Sequence, residues 1–144
     1  MTLYVVLDTN VLVSSMLKPE SIPGQVVDHA LHQDIVPVLS DEIIDEYSEI
    51  LHRQKFKFSE SKIADLIKGL DESGVYLSPT ETDELFLDLS DVVFYEVTLT
   101  AKEHHDAFLV TGNIKDFPVK PFVVTPREML DIIESAADSN RYGA

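Results

Sequence analysis

The sequence predicts an open α/β fold, on three observations. Leu3–Leu7 (LYVVL) is an unbroken apolar run containing two β-branched residues, and it stops directly in Asp8-Thr9-Asn10. Such a run reads as a buried strand. Ala107–Thr111 (AFLVT) repeats the pattern and stops in Gly112-Asn113. Between the two lie amphipathic stretches of helical period, as parallel neighbours joined by crossovers require. In such sheets ligands bind beyond the carboxyl ends of the strands, so the polar groups that end each run, Asp8 above all, stand where a site belongs.

In order along the chain, Val11, Leu12, Met16 and Leu17 predict a first helix stopped by Pro19, and Lys18–Pro23 a loop. Val26, Val27, Ala30 and Leu31 give a second helix over Gln25–Leu31. Ile35–Leu39 reads as an edge or short strand, because Pro37 has no N–H to give a ladder. Ser40 is placed to cap a third helix, Asp41 to about Arg53, with Asp41 and Glu42 in its first turn. At about 100° per residue, Ile43, Ile44, Tyr47, Ile50 and Leu51 form one stripe. Glu42, Asp45 and Glu49 lie roughly 140° to 160° from its centre, but Glu46 only about 100°. Glu46 is thus the shoulder acid, able to look along the core surface into a crevice, although any acidic helix has such a residue.

His52–Lys62 is the one concentrated basic stretch, holding Arg53, Lys55, Lys57 and Lys62 with Phe56 and Phe58 interleaved. Two readings stay open: it tracks a phosphate backbone and stacks bases, or it is a solvated turn anchored by two phenylalanines. A helix from about Glu60 to Leu70 follows, capped by Ser59 or Ser61 and ended by Gly69 and Gly74, then a short strand over Val75–Leu77. Thr80–Asp88 is acidic and turn-like. Ser90 is expected to cap a helix carrying Val93, Phe94, Val97 and Ala101, which places Asp91 in the first turn. There the helix dipole favours a carboxylate by about 0.3 to 1 kcal/mol, so Asp91 serves the helix, a site, or both.

Phe122–Thr125 is a third strand, and Thr125-Pro126-Arg127-Glu128 opens the last helix with a capping box. Met129, Leu130, Ile132 and Ile133 give that helix its apolar face, and beyond Ser135 small polar residues predict a frayed end. The expected organisation is one domain over 1–135 and a flexible tail over 136–144. His104 and His105 read as a solvated turn, and His29 and His32 as surface groups without a carboxylate of matching phase.

The length of 144 residues is enough for one domain that buries about two thirds of its unfolded surface. There is no cysteine, which excludes disulfides and thiolate metal sites. Apolar runs of five or six residues fall far short of the roughly 20 that span a bilayer. The N-terminus lacks the basic region of a secretory signal, so a cytoplasmic location is expected. Eleven basic against 26 acidic residues leave a charge of −15, which repels nucleic acid over long range. A nucleic-acid enzyme with this charge needs metal ions at its site and a local basic patch.

If the two long strands are parallel neighbours, Asp8 and the Asn113/Asp116 turn share a rim with Asp91 and Glu46 on the covering helices. Carboxylates gathered in one crevice repel one another unless a divalent cation lies among them. Oxygen donors without cysteine select Mg²⁺ or Mn²⁺ over zinc.

Four segments, LDTNVLVS, SDEIIDEY, DVVFYEV and FLVTGNIKDFP, resemble in sequence and order the motifs of the PIN-domain (PilT N-terminal) ribonucleases, especially the VapC-like toxins of bacterial and archaeal toxin-antitoxin pairs. The resemblance spans roughly residues 3 to 133. It implies a three-layer α/β/α sandwich with a central mainly parallel sheet and a Mg²⁺- or Mn²⁺-dependent endoribonuclease site. Asp8, Glu46 and Asp91 match the family's first three acids. The fourth usually follows the Thr-Gly of the last motif, where this chain has the uncharged Asn113, with Asp116 three residues on to substitute. Asp8, Asp91, Glu46 and Asp116 are then the expected metal ligands and catalytic acids. Thr9, Asn10, Thr111 and Asn113 are the expected supporting groups that orient them. Arg53, Lys55 and Lys57 are the expected RNA contacts.

The implied reaction is hydrolysis of RNA that leaves a 5′-phosphate and a 3′-hydroxyl. The implied partners are an antitoxin that blocks the site and a second copy in a homodimer. Two rivals remain at this point: a catalytically weak or inactive protein-binding module of the same fold, and a phosphohydrolase using Asp8 as nucleophile. Against the second, Asn10 stands where such enzymes generally need another aspartate.

Overall fold

The two buried runs do form neighbouring strands. In the computed structural model, which describes residues 2–141, five strands make one sheet: β1 (Leu3–Leu7), β2 (Val36–Leu39), β3 (Val75–Tyr76), β4 (Asp106–Val110) and β5 (Val123–Val124). Their order is β3-β2-β1-β4-β5, and every neighbouring pair is parallel. β1 and β4 pair over their whole length, from Leu3 against Asp106 to Leu7 against Val110. Six helices flank the sheet to give a three-layer α/β/α sandwich: α1 (Thr9–Leu17), α2 (Ile22–Leu31), α3 (Asp41–Leu51), α4 (Glu60–Ser73), α5 (Val92–Lys102) and α6 (Pro126–Arg141).

Strand order explains where a site can form. The chain leaves β1 toward β2 and β3 on one side, then returns to lay β4 and β5 on the other. The direction of winding therefore reverses between β1 and β4, and the crevice beyond their carboxyl ends is the place such sheets offer to ligands. Val5, Val6, Leu7, Leu109 and Val110 are fully buried there, which fixes the strands that carry Asp8 and Thr111.

Local chemistry accounts for most boundaries. Ser40 caps α3 by accepting from the Ile43 N–H, and Ser59, not Ser61, caps α4. The capping box of α6 is reciprocal: Glu128 N–H donates to Thr125 Oγ1 and Thr125 N–H to Glu128 Oε1. β2 is short, one of the two readings Pro37 allowed, and internal: β3 pairs only with Val38 and Leu39, so Pro37 meets a strand on the β1 side alone. Three expectations need correction. Gly69 does not end α4; it lies within the helix, where a Cβ would come within 2.8 Å of Leu31 Cδ2, so it is a close contact between α2 and α4. Ser90 does not cap α5. Asp88 accepts from both the N–H and the hydroxyl of Ser90 across a 3-10 turn, Leu89–Asp91, and Asp91 takes the capping position itself. Finally, α6 is helical through Arg141, so much of the expected tail continues the helix; residues 142–144 lie outside the described residues.

Gly24 fixes the α1–α2 turn most tightly. A Cβ there would lie 2.0 Å from the Pro19 carbonyl oxygen, a backbone atom that cannot swing aside. Gly24→Ala is expected to lower stability by about 1 to 3 kcal/mol in urea denaturation.

Candidate active site

Beyond the ends of β1 and β4 lies an open cavity of about 400 Å³. Asp8, Glu46, Asp88, Asp91 and Asp116 all line it, with Thr9, Asn10, Ser90 and Asn113 between them. The four acids expected from the sequence are thus brought to one place, although they come from β1, α3, the start of α5 and the turn after β4.

Asp8 is the buried member, 7% exposed. The Thr111 hydroxyl donates to its Oδ2 at 2.8 Å, and Asn10 Nδ2 donates to the same oxygen at 3.2 Å. Asn10 in turn accepts from the Gly112 N–H at 3.0 Å, and Thr111 Oγ1 accepts from the Asn113 N–H. This network ties the end of β1 to the end of β4 through side chains, and Thr111 is itself fully buried. Tyr47 adds a third tie: from α3 its hydroxyl donates to the Leu7 carbonyl at 2.6 Å, one residue before Asp8. The sequence showed Tyr47 only as a member of an apolar stripe, so this role was not legible there. Tyr47→Phe leaves a buried carbonyl without its partner and is expected to cost about 1 to 3 kcal/mol in thermal or urea unfolding.

The acids feel one another. Burial, then the charges of Asp8, Asp88, Asp116 and Glu46, push the Asp91 carboxyl up to about 7. Burial raises Asp8 as well, opposed by the Thr111 hydrogen bond and augmented by the charge of Asp116. Burial raises Glu46, with Glu49 and Asp88 adding to it. Asp88, fully solvated, moves the other way because Ser90 donates to its charged form.

An all-oxygen donor set with mutual repulsion fits a hard divalent cation. Thr9 is among the lining residues, and its hydroxyl is buried with no hydrogen-bond partner. The arrangement is open: among the described residues no three acidic or histidine groups stand close enough to hold an ion by themselves.

The expected basic contacts divide. Arg53 and Lys55 line the carboxylate cavity, whereas Lys57, in a left-handed backbone conformation with φ of 57°, lines a separate cavity of about 460 Å³ with Phe58 and Lys62. His29 is not without a carboxylate, since it meets Asp34 at 2.8 Å, and His105 stacks on Tyr4. Neither lines the cavity. Phe56, which one reading of the basic stretch offered as a stacking ring, does line it, as do Val13, Ile50 and Phe94, which went unrecognised because each is an ordinary apolar residue in its own segment.

Comparison with known proteins agrees with this fold. A family model described as PIN domain matches residues 4–115. An uncharacterized protein of Methanocaldococcus jannaschii is 28% identical over 112 residues, covering 76% of this chain and 70% of that protein.

Proposed function

Because the chain belongs to the PIN domain family, whose members are in general nucleases, we propose that it is a Mg²⁺- or Mn²⁺-dependent endoribonuclease, the toxin half of a toxin-antitoxin pair. The observation that supports this most is the single cavity in which Asp8, Glu46, Asp91 and Asp116 repel one another.

In this reading Asp8, Asp91 and Asp116 would hold the cation, with Glu46 at the edge of the set. A bound divalent cation supplies charge neutralisation at the scissile phosphate and a lowered pKa for water. The protein's own groups do the positioning. Thr111 and Asn10 hold Asp8 Oδ2, which fixes the rotamer of the carboxylate and leaves it less freedom to turn from the cavity. Glu46, on the shoulder of α3, orients the attacking water and accepts its proton. Attack in line on phosphorus breaks the bond to the 3′-oxygen, which leaves as the 3′-hydroxyl after taking a proton, and the 5′-phosphate stays with the downstream strand. Asn113 contributes no charge, so Asp116 from the following turn takes the place of the fourth acid.

The partners are an antitoxin protein that covers the site and a second copy of the chain. Leu85, Leu87 and Leu89 favour such contacts: all three stand almost wholly in water, in the segment that leads to Asp91. Among the described residues no helix is long and apolar enough to cross a membrane, and we place the protein in the cytoplasm. The catalytic domain is taken to be residues 1–135, with α6 running past that boundary.

The test is cleavage of a labelled RNA with Mn²⁺ against chelator. Cleavage with Mn²⁺, abolished by chelator and by Asp8→Asn, supports the nuclease. No cleavage together with intact Mn²⁺ binding favours an inactive binding module, to which Asn113 in place of an acid would contribute.

A further inference from the structure

The segment between β3 and α5 leaves one face of the molecule without a partner. From 80 to 87 its residues alternate strictly between half-buried and exposed, as an extended chain lying on a surface does. The even positions hold it to α5. Thr80 N–H donates to the Glu96 carbonyl at 3.0 Å, Thr82 N–H donates to Glu96 Oε2 at 2.9 Å, and the Tyr95 hydroxyl donates to Glu84, whose other oxygen meets Lys120 Nζ at 3.3 Å. Phe86 packs on the core, its ring edge-on to Tyr95 and Phe117. The odd positions face water: Glu81 and Asp83 are exposed, and Leu85, Leu87 and Leu89 are 95%, 96% and 84% exposed. Leucines so placed add nothing to the core, and three at alternate positions mark a contact surface. No N–H from Leu85 through Leu89 donates a hydrogen bond among the described residues. The backbone of this stretch is therefore an open edge, and between 81 and 89 it has none of the Lys or Pro residues that commonly blunt one.

We propose that this edge, residues 81–89, docks an extended protein chain by strand addition, the incoming chain presenting apolar residues to Leu85, Leu87 and Leu89 and basic residues to Glu81 and Asp83. Charge chooses the occupant. A second copy would set the same acids, on a chain of net charge −15, against themselves, whereas a basic and apolar chain gains along the whole edge. Glu81, Asp83 and Asp88 thus guard against self-pairing and complement a cationic partner. The edge runs directly into the turn Leu89–Asp91, and Asp88, Ser90 and Asp91 line the carboxylate cavity, so a chain laid along it ends at the rim of that cavity. Docking here rests on the protein partner proposed above and not on cleavage, since it is read without RNA or metal.

The probe is a dye-labelled peptide, Val-Thr-Val-Thr-Val-Thr-Lys-Thr-Lys, tried also in reverse order to cover both chain directions. At least one of the two should bind the parent protein saturably by anisotropy, and exchange of both lysines for glutamate should weaken that binding roughly tenfold. N-methylation of every second amide, in one register or the other, should abolish it, because the bonds to the edge are main-chain bonds. Leu87→Glu is the deciding variant. It makes the chain more acidic, so attraction of a cation to net charge alone would strengthen binding, whereas docking on the leucines should be lost. Leu87 is exposed enough that the variant should melt with the parent, and its sedimentation should match the parent's. The proposal is overturned if neither peptide binds, if Leu87→Glu binds as tightly as the parent, if N-methylation in both registers is harmless, or if Leu87→Glu dissociates a parent dimer, which would give the edge to a second copy. A parent that binds the peptide and cleaves no RNA keeps the edge and loses the nuclease. One that cleaves RNA with Mn²⁺ and binds neither peptide keeps the nuclease and loses the edge.

Discussion

Asp8→Asn is expected to abolish Mn²⁺-supported RNA cleavage, a loss larger than the roughly 10- to 100-fold that follows when only a supporting group such as Thr111 is changed to Val. The two substitutions act on one hydrogen bond from opposite ends. Asp8→Asn removes a charge that would face the cation and keeps the side chain's size. Thr111→Val keeps the charge and removes the hydroxyl that holds Asp8 Oδ2 at 2.8 Å. Initial rates at several Mn²⁺ concentrations separate them: excess Mn²⁺ should restore much of the activity of Thr111→Val and little of that of Asp8→Asn. Equal rescue of both would mean that Asp8 is not a ligand.

The second large effect is on stability in the absence of metal. Folded Asp91 titrates at about 7, whereas an unfolded aspartate titrates near 3.9. A carboxyl raised in this way carries no penalty below its unfolded value and an increasing one as pH climbs through its folded value. Asp8 and Glu46 are raised too and act in the same direction. Metal-free protein should therefore melt higher near pH 5 than near pH 8, with Asp91 contributing on the order of 1 to 2 kcal/mol after allowance for solvent screening. Asp91→Asn should recover that amount near pH 8 and flatten the pH dependence in differential scanning calorimetry. Mn²⁺ should stabilise the parent by about 2.7 kcal/mol at a hundredfold excess over its dissociation constant, and the Asp8→Asn variant hardly at all.

These expectations rest on a fold whose outline was legible because apolar runs stop abruptly in polar residues. Leu3–Leu7 and Ala107–Thr111 could be read as buried strands from their residue pattern, their pairing only as a condition, and the register of β1 on β4 puts Asp8 beside Thr111. Helical phase was enough to single out Glu46, which does line the cavity. What sequence spacing left hidden were facts set by tertiary contact. Whether Pro37 sits at an edge depends on how much of β2 the two-residue strand β3 covers. That Asp91 rather than Ser90 takes the capping position of α5 depends on a 3-10 turn, itself capped by Asp88, that shifts the helix start. Phe56 and Phe58 look equivalent in the chain, and Lys55 and Lys57 likewise. The left-handed turn at Lys57 sends one pair to the carboxylates and the other to the far cavity.

The claim beneath all of this is that carboxylates from four separate segments line one cavity and make it a binding place for one divalent ion. Isothermal titration of Mn²⁺ into the metal-free protein, run near pH 7 in buffers of different ionisation enthalpy, tests it most directly, because binding must expel whatever proton Asp91 holds. The predicted result is one saturable binding event that releases a fraction of a proton in the parent, with smaller release from Asp91→Asn and no binding heat from Asp8→Asn. Equal heats and equal proton release from parent and variants would contradict it.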